Sequence, residues 1–395
     1  MRPVYLDNNA TTALDPRVAE VLMHHFATGP INPASQHAVG QRARAELDSA
    51  IELIGTCIGS RLDQPGGARL LLTSGGTESN NLALRGISGG EIGFGGASDI
   101  GRIIVSRIEH PSVLATAQAM EREGHHVDWL DVNHDGKIQI EHLYELLQSD
   151  TTQSRPVSLV SIMSANNETG VVQPLEPVAA LCQESGVPLH VDATQTIGKL
   201  PMNLEESGIS ACSFSAHKFH GPVGVGALWL RTGVEVRPML HGGEQQLGTR
   251  PGTESVPLVA GMAEALKLAT QELDESAQRM SSLRDHLETS LVARHPDLVI
   301  QGASEPRLPG TTTISFVGVD RQSMLMALDL AGIACSSGSA CSSGSSPPSH
   351  VLIAMGRPES EIASTLRFGV SKFSTAEEIE NSIERISNIY NRLRS

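Results

Sequence analysis

Short apolar runs alternate with helical patterns through the first two-thirds of the chain. One helical pattern, 175-LEPVAALCQES-185, lies between two of these runs. Strands that are buried on both faces appear as continuous apolar runs, and helices between them are typical of parallel strands. The pattern therefore predicts an α/β fold with a mostly parallel seven-stranded sheet flanked by helices. The predicted strands are 69–74, 102–107, 126–132, 157–163, 187–193, 211–216 and 224–230.

A longer amphipathic pattern extends from about 256 to 295 and includes 258-LVAGMAEALKLATQELDESAQRM-280. It predicts one helix that connects the large sheet to a second, smaller α+β domain. We expect three parts: an N-terminal segment, 1–14, that packs with the small domain; a large domain, 15–257; and the connecting helix with the small domain, 258–395.

Composition and charge restrict the possible partners. The 395-residue chain is 39% apolar and has a formal net charge of −15, with lysines and arginines scattered along it. This argues against nucleic acid and anionic membranes as partners. No apolar run approaches the ~18 residues of a membrane span, and the first residues lack the apolar stretch of a secretory signal. Five cysteines without a CxxC pair predict free thiols in a cytoplasmic protein, and no metal site is expected.

Two cysteines lie in an unusual segment near the C-terminus. Cys335 and Cys341 occur within 331-AGIACSSGSACSSGSSPPSH-350, a run rich in serine and glycine. Such a composition fits a flexible linker, and it fits equally a loop that carries a reactive thiol. The other residues of the chain must decide between the two interpretations.

Lys218 is the strongest candidate for a catalytic lysine. Of the five lysines, it alone follows an apolar strand and precedes a glycine-rich one, in 213-SFSAHKFHGPVGVGALWL-230. Apolar surroundings disfavour the charged form of a lysine, as a Schiff-base lysine requires. Lys199 and Lys372 lie in short polar connections, where a solvated side chain is expected.

Three further residues or turns follow predicted strands. Asp192 ends one strand, His110 follows another, and Gly75-Gly76-Thr77 separates a third from a helix. Separately, each has an ordinary structural explanation: a helix cap, a packed histidine, a tight turn. Together with Lys218 they supply a carboxylate, an imidazole, an anion cradle and an amine at one edge of a parallel sheet. That combination fits pyridoxal phosphate (PLP).

At this point the residues resemble the cysteine desulfurases, a group of the class V, fold-type I PLP-dependent transferases. The resemblance covers nearly the whole chain and extends to the nitrogen-fixation and housekeeping iron–sulfur desulfurases of bacteria. It rests on 6-LDNNATT-12, 32-NPAS-35, 72-LTSGGTESNN-81, 109-EHPSV-113, 165-ANNETGVVQP-174, 190-HVDATQTIGKLP-201, 213-SFSAHKFHGPVGVGAL-228, 241-HGGEQQLGTRPGT-253, 336-SSGSACSSGSSPPSHVL-352 and 366-LRFGVSKF-373.

The resemblance implies a role for each site residue. Lys218 forms the covalent link to the cofactor and later moves the proton of the substrate's Cα. Cys341, on a mobile loop of about 334–348, accepts the sulfur as a persulfide while L-cysteine becomes L-alanine. Cys335 matches no required cysteine. The remaining implied residues are Asp192 at the pyridine nitrogen, Gln195 at the phenolic oxygen, His110 stacked on the ring, Gly76, Thr77, Ser215 and His217 at the phosphate, Thr253 at the phosphate of a neighbouring subunit, and Asn167 and Arg367 on the substrate.

The role of Thr253 implies a homodimer with shared active sites, and a persulfide implies a sulfur-acceptor protein such as an iron–sulfur scaffold. Three alternatives remain open at this stage. A selenocysteine lyase and a class V aminotransferase share the fold, although transamination gives a mobile cysteine no role. An iron–sulfur carrier using Cys335 and Cys341 is a weaker alternative, because a cluster normally takes four ligands.

Overall fold

The computed structural model describes residues 3–62, 66–87, 101–149, 156–338 and 347–394. Its strands are β1 (Val4–Tyr5), β2 (Arg69–Thr73), β3 (Arg102–Ser106), β4 (His126–Leu130), β5 (Val157–Met163), β6 (Leu189–Asp192), β7 (Ala211–Ser215), β8 (Gly226–Leu230), β9 (Val299–Ile300), β10 (Thr311–Ser315), β11 (Ile333–Ala334) and β12 (Thr365–Gly369).

The helices lie between and after these strands. They are α1 (Pro16–Ala27), α2 (Ala38–Cys57), α3 (Gly76–Ile87), α4 (Pro111–Arg122), α5 (Ile140–Gln148), α6 (Leu175–Glu184), α7 (Val256–Gln271), α8 (Leu273–Arg294), α9 (Arg321–Leu330), α10 (His350–Ala354), α11 (Glu359–Ile362) and α12 (Ala376–Arg394). Within the described ranges, no helix is both long enough and apolar enough to cross a membrane.

The seven predicted strands form one seven-stranded sheet, in the order β2-β8-β7-β6-β5-β3-β4. Only β8 is antiparallel to its neighbours, β2 and β7; the other pairs are parallel. Strands β3, β7 and β8 are buried along their whole length, as expected for a sheet covered on both faces. The predicted α/β fold with a mostly parallel sheet is therefore confirmed.

A second hydrophobic core forms around a smaller sheet, in which β10 pairs antiparallel with β9 and β12. Helix α12 packs on it through Ile379, Ile383 and Ile386, whose spacing places them on one helical face. Val4 and Leu6 belong to the same core, because β1 pairs with β11. The exact domain boundaries remain a prediction.

The predicted connecting helix is two helices, α7 and α8, that meet at Glu272. The prediction of one continuous helix was wrong. The sequence does not signal the break, because neither a proline nor a glycine lies there. Instead, the Glu272 carboxylate forms ion pairs with Arg17 Nη1 and Lys372 Nζ, each at 2.7 Å. These partners come from distant parts of the chain, so the pattern of α7 and α8 alone could not reveal them.

Candidate active site

A cavity of about 1090 Å³ opens at the carboxyl ends of the parallel strands of the large sheet. Asp192 ends β6 and Ser215 ends β7, while Arg367 reaches the cavity from β12 of the second sheet. The position agrees with the general rule for open α/β sheets, and the volume suits a cofactor with its substrate. Ten of the predicted site residues line this cavity: Gly76, Thr77, His110, Asn167, Asp192, Gln195, Ser215, His217, Lys218 and Arg367.

Two predicted residues are not among them. Thr253 is exposed and lies outside the cavity lining. Cys341 and the centre of the serine-rich loop lie outside the described residues.

One end of the cavity is suited to an anion. Helix α3 begins at Gly76, so unpaired backbone N–H groups point into the cavity. Gly75 has φ = 153°, a conformation that favours glycine, and a Cβ on Gly76 would lie 3.1 Å from Thr194 Oγ1. That hydroxyl is buried and has no described hydrogen-bond partner. A phosphate here would accept from the helix N-terminus and from the Thr194 and Ser215 hydroxyls.

Asp192 is held by hydrogen-bond donors at the centre of the site. Its Oδ2 accepts from Asn80 Nδ2 at 2.7 Å and its Oδ1 from the Thr194 N–H at 3.0 Å. Only 5% of the residue is exposed. Both donors orient the carboxylate, which suits it to bind the protonated nitrogen of a pyridine ring.

The histidines beside Asp192 and Lys218 are kept neutral. His110 caps α4, with its Nδ1 accepting from the Ser112 N–H at 3.1 Å, and burial lowers its pKa. Burial and the nearby Lys218 lower the pKa of His217 to about 4. A neutral His110 ring can stack on a flat cofactor, and a neutral His217 can still donate one N–H to a phosphate.

Lys218 lies in a short 3₁₀ turn, Ala216–Lys218, that directly follows β7. Its Nζ donates to the backbone carbonyls of Asn9 at 2.5 Å and Ala10 at 2.7 Å. Burial, and secondarily Arg367, lowers its pKa to about 8. An unusually large fraction of the amine is therefore neutral near physiological pH, as nucleophilic attack on a carbonyl requires.

A carboxylate-binding corner lies opposite Lys218. Arg367 is 4% exposed; its Nη2 binds Asp7 Oδ1 at 2.7 Å and its Nη1 donates to the Asn167 carbonyl at 2.8 Å. Arg367 Nε and Asn167 Oδ1 are buried without a described partner. Since unpaired buried polar groups are costly, a carboxylate that accepts from Arg367 Nε would complete this corner.

The backbone of Arg367 also holds the start of the serine-rich loop. Arg367 N donates to Ser336 O at 2.7 Å, and Ser336 N donates to Arg367 O at 3.3 Å. Beyond the undescribed residues, Ser349 Oγ donates to Glu168 Oε2 at 2.5 Å. Both flanks of the loop are thus fixed to the wall of the cavity.

Cys335 belongs to the cavity lining, in surroundings that disfavour its thiolate. Burial, together with the negative charge of Asp7, raises the pKa of its thiol to about 12. A thiolate, not a thiol, is the nucleophile in sulfur chemistry. Cys335 is therefore suited to packing rather than to sulfur transfer.

Several residues of the site were not identified from the sequence. Asn80, Thr194 and Glu168 occur in the quoted motifs, but nothing in the spacing indicated their contacts. Lys199 was expected to be solvated; its Nζ instead donates to Gln195 Oε1 at 3.1 Å, and burial lowers its pKa to about 7. Lys372, also expected to be solvated, forms ion pairs with Asp15 and Glu272.

Comparison with known proteins decides the family. A family model described as class V aminotransferase matches residues 4–381. The chain belongs to the class V aminotransferases.

Its curated relatives in this family are cysteine desulfurases, which confirms the resemblance seen in the motifs. The enzyme from Trichormus azollae is 38% identical over 395 residues, with 100% of this chain and 94% of the relative covered. The cysteine desulfurase NifS of Azotobacter vinelandii is 37% identical with the same coverage. The structure of a NifS-like protein from Rickettsia africae superposes with a TM-score of 0.88 at 32% identity, covering 99% of this chain and 100% of the other.

Proposed function

We propose that the chain is a PLP-dependent cysteine desulfurase that converts L-cysteine to L-alanine and leaves the sulfur as a persulfide on Cys341. The observation that carries the proposal is one cavity in which Lys218, Asp192 and the N-terminus of α3 surround a space that Arg367 and Asn167 close on the opposite side. Full-length relatives that are cysteine desulfurases support the same activity.

The residues present fit PLP. The N-terminus of α3 with Ser215, Thr194 and His217 would hold the phosphate, and Asp192 the pyridine nitrogen. His110 would cover the ring, and Lys218 would hold the cofactor covalently. When bound, the cofactor supplies an electron-poor ring that stabilises negative charge at the substrate's Cα.

The chain's own residues then orient the substrate and move its proton. Arg367 Nε and the Asn167 Nδ2 amide would donate to the carboxylate, which directs the Cα–H of L-cysteine towards Lys218. The Lys218 amine takes that proton, since its lowered pKa keeps much of it neutral. The Asp192 carboxylate, oriented by its two hydrogen bonds, would bind the ring nitrogen.

Sulfur transfer balances without an external oxidant. The Cys341 thiolate attacks the sulfur of the substrate and forms an S–S bond as the substrate's C–S bond breaks. The electron pair of the C–S bond stays with carbon, which takes up a proton to give the methyl group of L-alanine. The sulfur leaves later, to an acceptor thiol.

The deciding experiment is mass spectrometry of the protein after brief incubation with L-cysteine and no reductant, with alanine measured in parallel. We expect one extra sulfur that fragment-ion spectra place on Cys341 and not on Cys335, which lies in the same peptide, with alanine formed in step. Alanine without modified Cys341 would indicate direct release of sulfur, as in a lyase. Absence of both products would favour an aminotransferase.

We further propose that the enzyme is a homodimer in which Thr253 completes the phosphate site of the neighbouring subunit. The exposure of Thr253 away from its own cavity supports this arrangement. Large apolar side chains are also exposed in the described residues, including Phe26 at 61% and Leu247 at 81%.

Shared sites can be tested with tagged heterodimers assayed at limiting cofactor. A heterodimer of Lys218→Ala and Thr253→Ala subunits should regain one intact site and about half of the activity per dimer. A heterodimer of wild type with the doubly substituted chain has the same composition but no intact site, so it should stay impaired. The reverse pattern, with only the second heterodimer active, would show that each subunit builds its own site, and equal activity would show that Thr253 has no role at either site.

We also propose a sulfur acceptor and a cellular compartment for the protein. A sulfur-acceptor protein, for instance a scaffold for iron–sulfur clusters, would take the persulfide sulfur. The four cysteines within the described residues are free thiols, which supports a reducing, cytoplasmic location.

A further inference from the structure

Lys199 lies directly behind Gln195, one helical turn further along the chain. Its Nζ donates to Gln195 Oε1 at 3.1 Å, and Lys199 does not belong to the described lining of the large cavity. Gln195 is 5% exposed, and its Nε2 donates to the Asn9 carbonyl at 3.1 Å. The Gln195 amide is thus held at both of its polar atoms.

These two partners fix which way the amide faces. A lysine ammonium has only donors, so it must face the oxygen of Gln195. A backbone carbonyl only accepts, so Asn9 must face the nitrogen. One hydrogen of Gln195 Nε2 then remains free for an acceptor in the cavity. Without Lys199, the Asn9 carbonyl alone would fix the direction of the amide.

Nothing else in the described structure explains a charged side chain at this position. No carboxylate of the described residues lies within ion-pair distance of Lys199; Lys218 and Arg367 are instead the nearby charges that act on it. The space beyond it is a cavity of about 40 Å³ with a mainly apolar lining, enough for a few water molecules only. A buried ammonium without a counterion destabilises a fold, so its contact with Gln195 is its favourable interaction.

We infer that Lys199 is a positioning residue that holds the Gln195 side chain with an N–H, and not the carbonyl, towards the cofactor oxygen that Gln195 binds. The inference rests on the proposed PLP-dependent function. An N–H donor at that oxygen disfavours an added proton on the bound cofactor. Lys199 thereby favours the less protonated form of the cofactor before substrate arrives.

The test is a pH titration of the visible absorbance of the holoenzyme without substrate. Lys199→Met should raise the midpoint of this titration by about one pH unit. Lys199→Arg keeps a donor and should restore most of the difference. Lys267→Met serves as the matched control, because Lys267 pairs with Glu264 on α7, and its midpoint should equal that of the wild type.

A double-mutant cycle identifies the route of the effect. In a Gln195→Leu background, Lys199→Met should add no further shift, since there is no amide left to orient. An equal shift in both backgrounds would mean that Lys199 acts by charge alone, and no shift in either would mean that it has no role at the cofactor. Both results overturn the inference while leaving the desulfurase activity intact. A wild-type protein without a visible cofactor band would instead refute the proposed function.

Folding of the cofactor-free protein provides the second readout. Lysine normally has a pKa near 10.4, and here it is about 7, so unfolded chains bind more protons between these values. Stability therefore rises with pH across this window. The cost of burying the ammonium is full below this window and still largely present at pH 7.5. Lys199→Met removes it, so the urea midpoint of the variant at pH 7.5 should be equal to or above that of the wild type. A clearly lower midpoint would show that Lys199 is a structural residue.

Discussion

Replacing Lys218 with alanine should abolish alanine formation from L-cysteine, lowering kcat by about 10⁴-fold or more. The amine is both the covalent anchor of the cofactor and the group that moves the Cα proton, and proton transfer by a positioned group typically contributes about 10²–10⁴-fold. Among the lysines, Lys199 is also near the cavity, but its Nζ is directed to Gln195, so it cannot replace Lys218.

The measurement is an alanine assay combined with borohydride trapping. In the wild type, reduction should fix the cofactor's mass on the peptide containing Lys218; in the variant no lysine should carry it. Lys267→Ala, on the surface of α7, is the control and should behave as wild type. A variant that kept more than about one per cent of the activity would exclude Lys218 as the catalytic base.

The same amine sets a pH dependence for loading the cofactor. Only the neutral amine attacks a carbonyl, and the pKa of Lys218 is lowered to about 8. The rate of covalent loading into the cofactor-free protein should therefore rise about tenfold per pH unit below pH 8 and level off above it. A rise that continued to pH 10 would show that Lys218 titrates as an ordinary lysine.

Replacing Cys341 with alanine should stop persulfide formation and sulfide release, while the cofactor band and its response to L-cysteine remain. Substrate binding and proton removal use Arg367 and Lys218, so they should survive this change. Only the sulfur-accepting thiol is lost, and no other cavity thiol in the described residues can replace it.

Cys335→Ala is the matched control, six positions earlier in the chain. With a pKa of about 12, the Cys335 thiol at pH 8 is ionised in only about one molecule in ten thousand. Its replacement should change sulfide release by less than about twofold. The measurement is sulfide release under a reductant for both variants at equal cofactor content. The opposite pattern, loss with Cys335→Ala and activity with Cys341→Ala, would reverse the assignment of the nucleophile.

Much of the site was predictable because it depends on which residues directly follow each strand in the sequence. In a parallel sheet, the residues that follow each strand gather at one edge. Asp192 after β6, Lys218 after β7 and Gly76 at the start of α3 are therefore brought together by the strand pattern itself. His110 follows β3 in the same way, and the family motifs added Asn167, Gln195 and Arg367; all four line the same cavity.

The contacts that adjust these groups were not predictable in the same way. The electrostatic environment of Lys218 depends on the Asn9 and Ala10 carbonyls, about two hundred positions away in the sequence. At the break between α7 and α8, Glu272 pairs with Arg17 and Lys372, which lie far from it in the sequence. Lys199 has the sequence context of a solvated residue, yet it donates to Gln195.

The sequence by itself determined the seven strands, the α/β class and which residues collect at the edge of the sheet. These features follow from the spacing of apolar residues and from the succession of strands and helices, both of which can be read along the chain. Tertiary structure alone decided the antiparallel direction of β8, the division of the long amphipathic pattern into α7 and α8, and the protonation of Lys218 and Cys335. A strand's apolar run is the same in either direction. Burial and the charges nearby, which set a pKa, come from residues that only folding brings into contact.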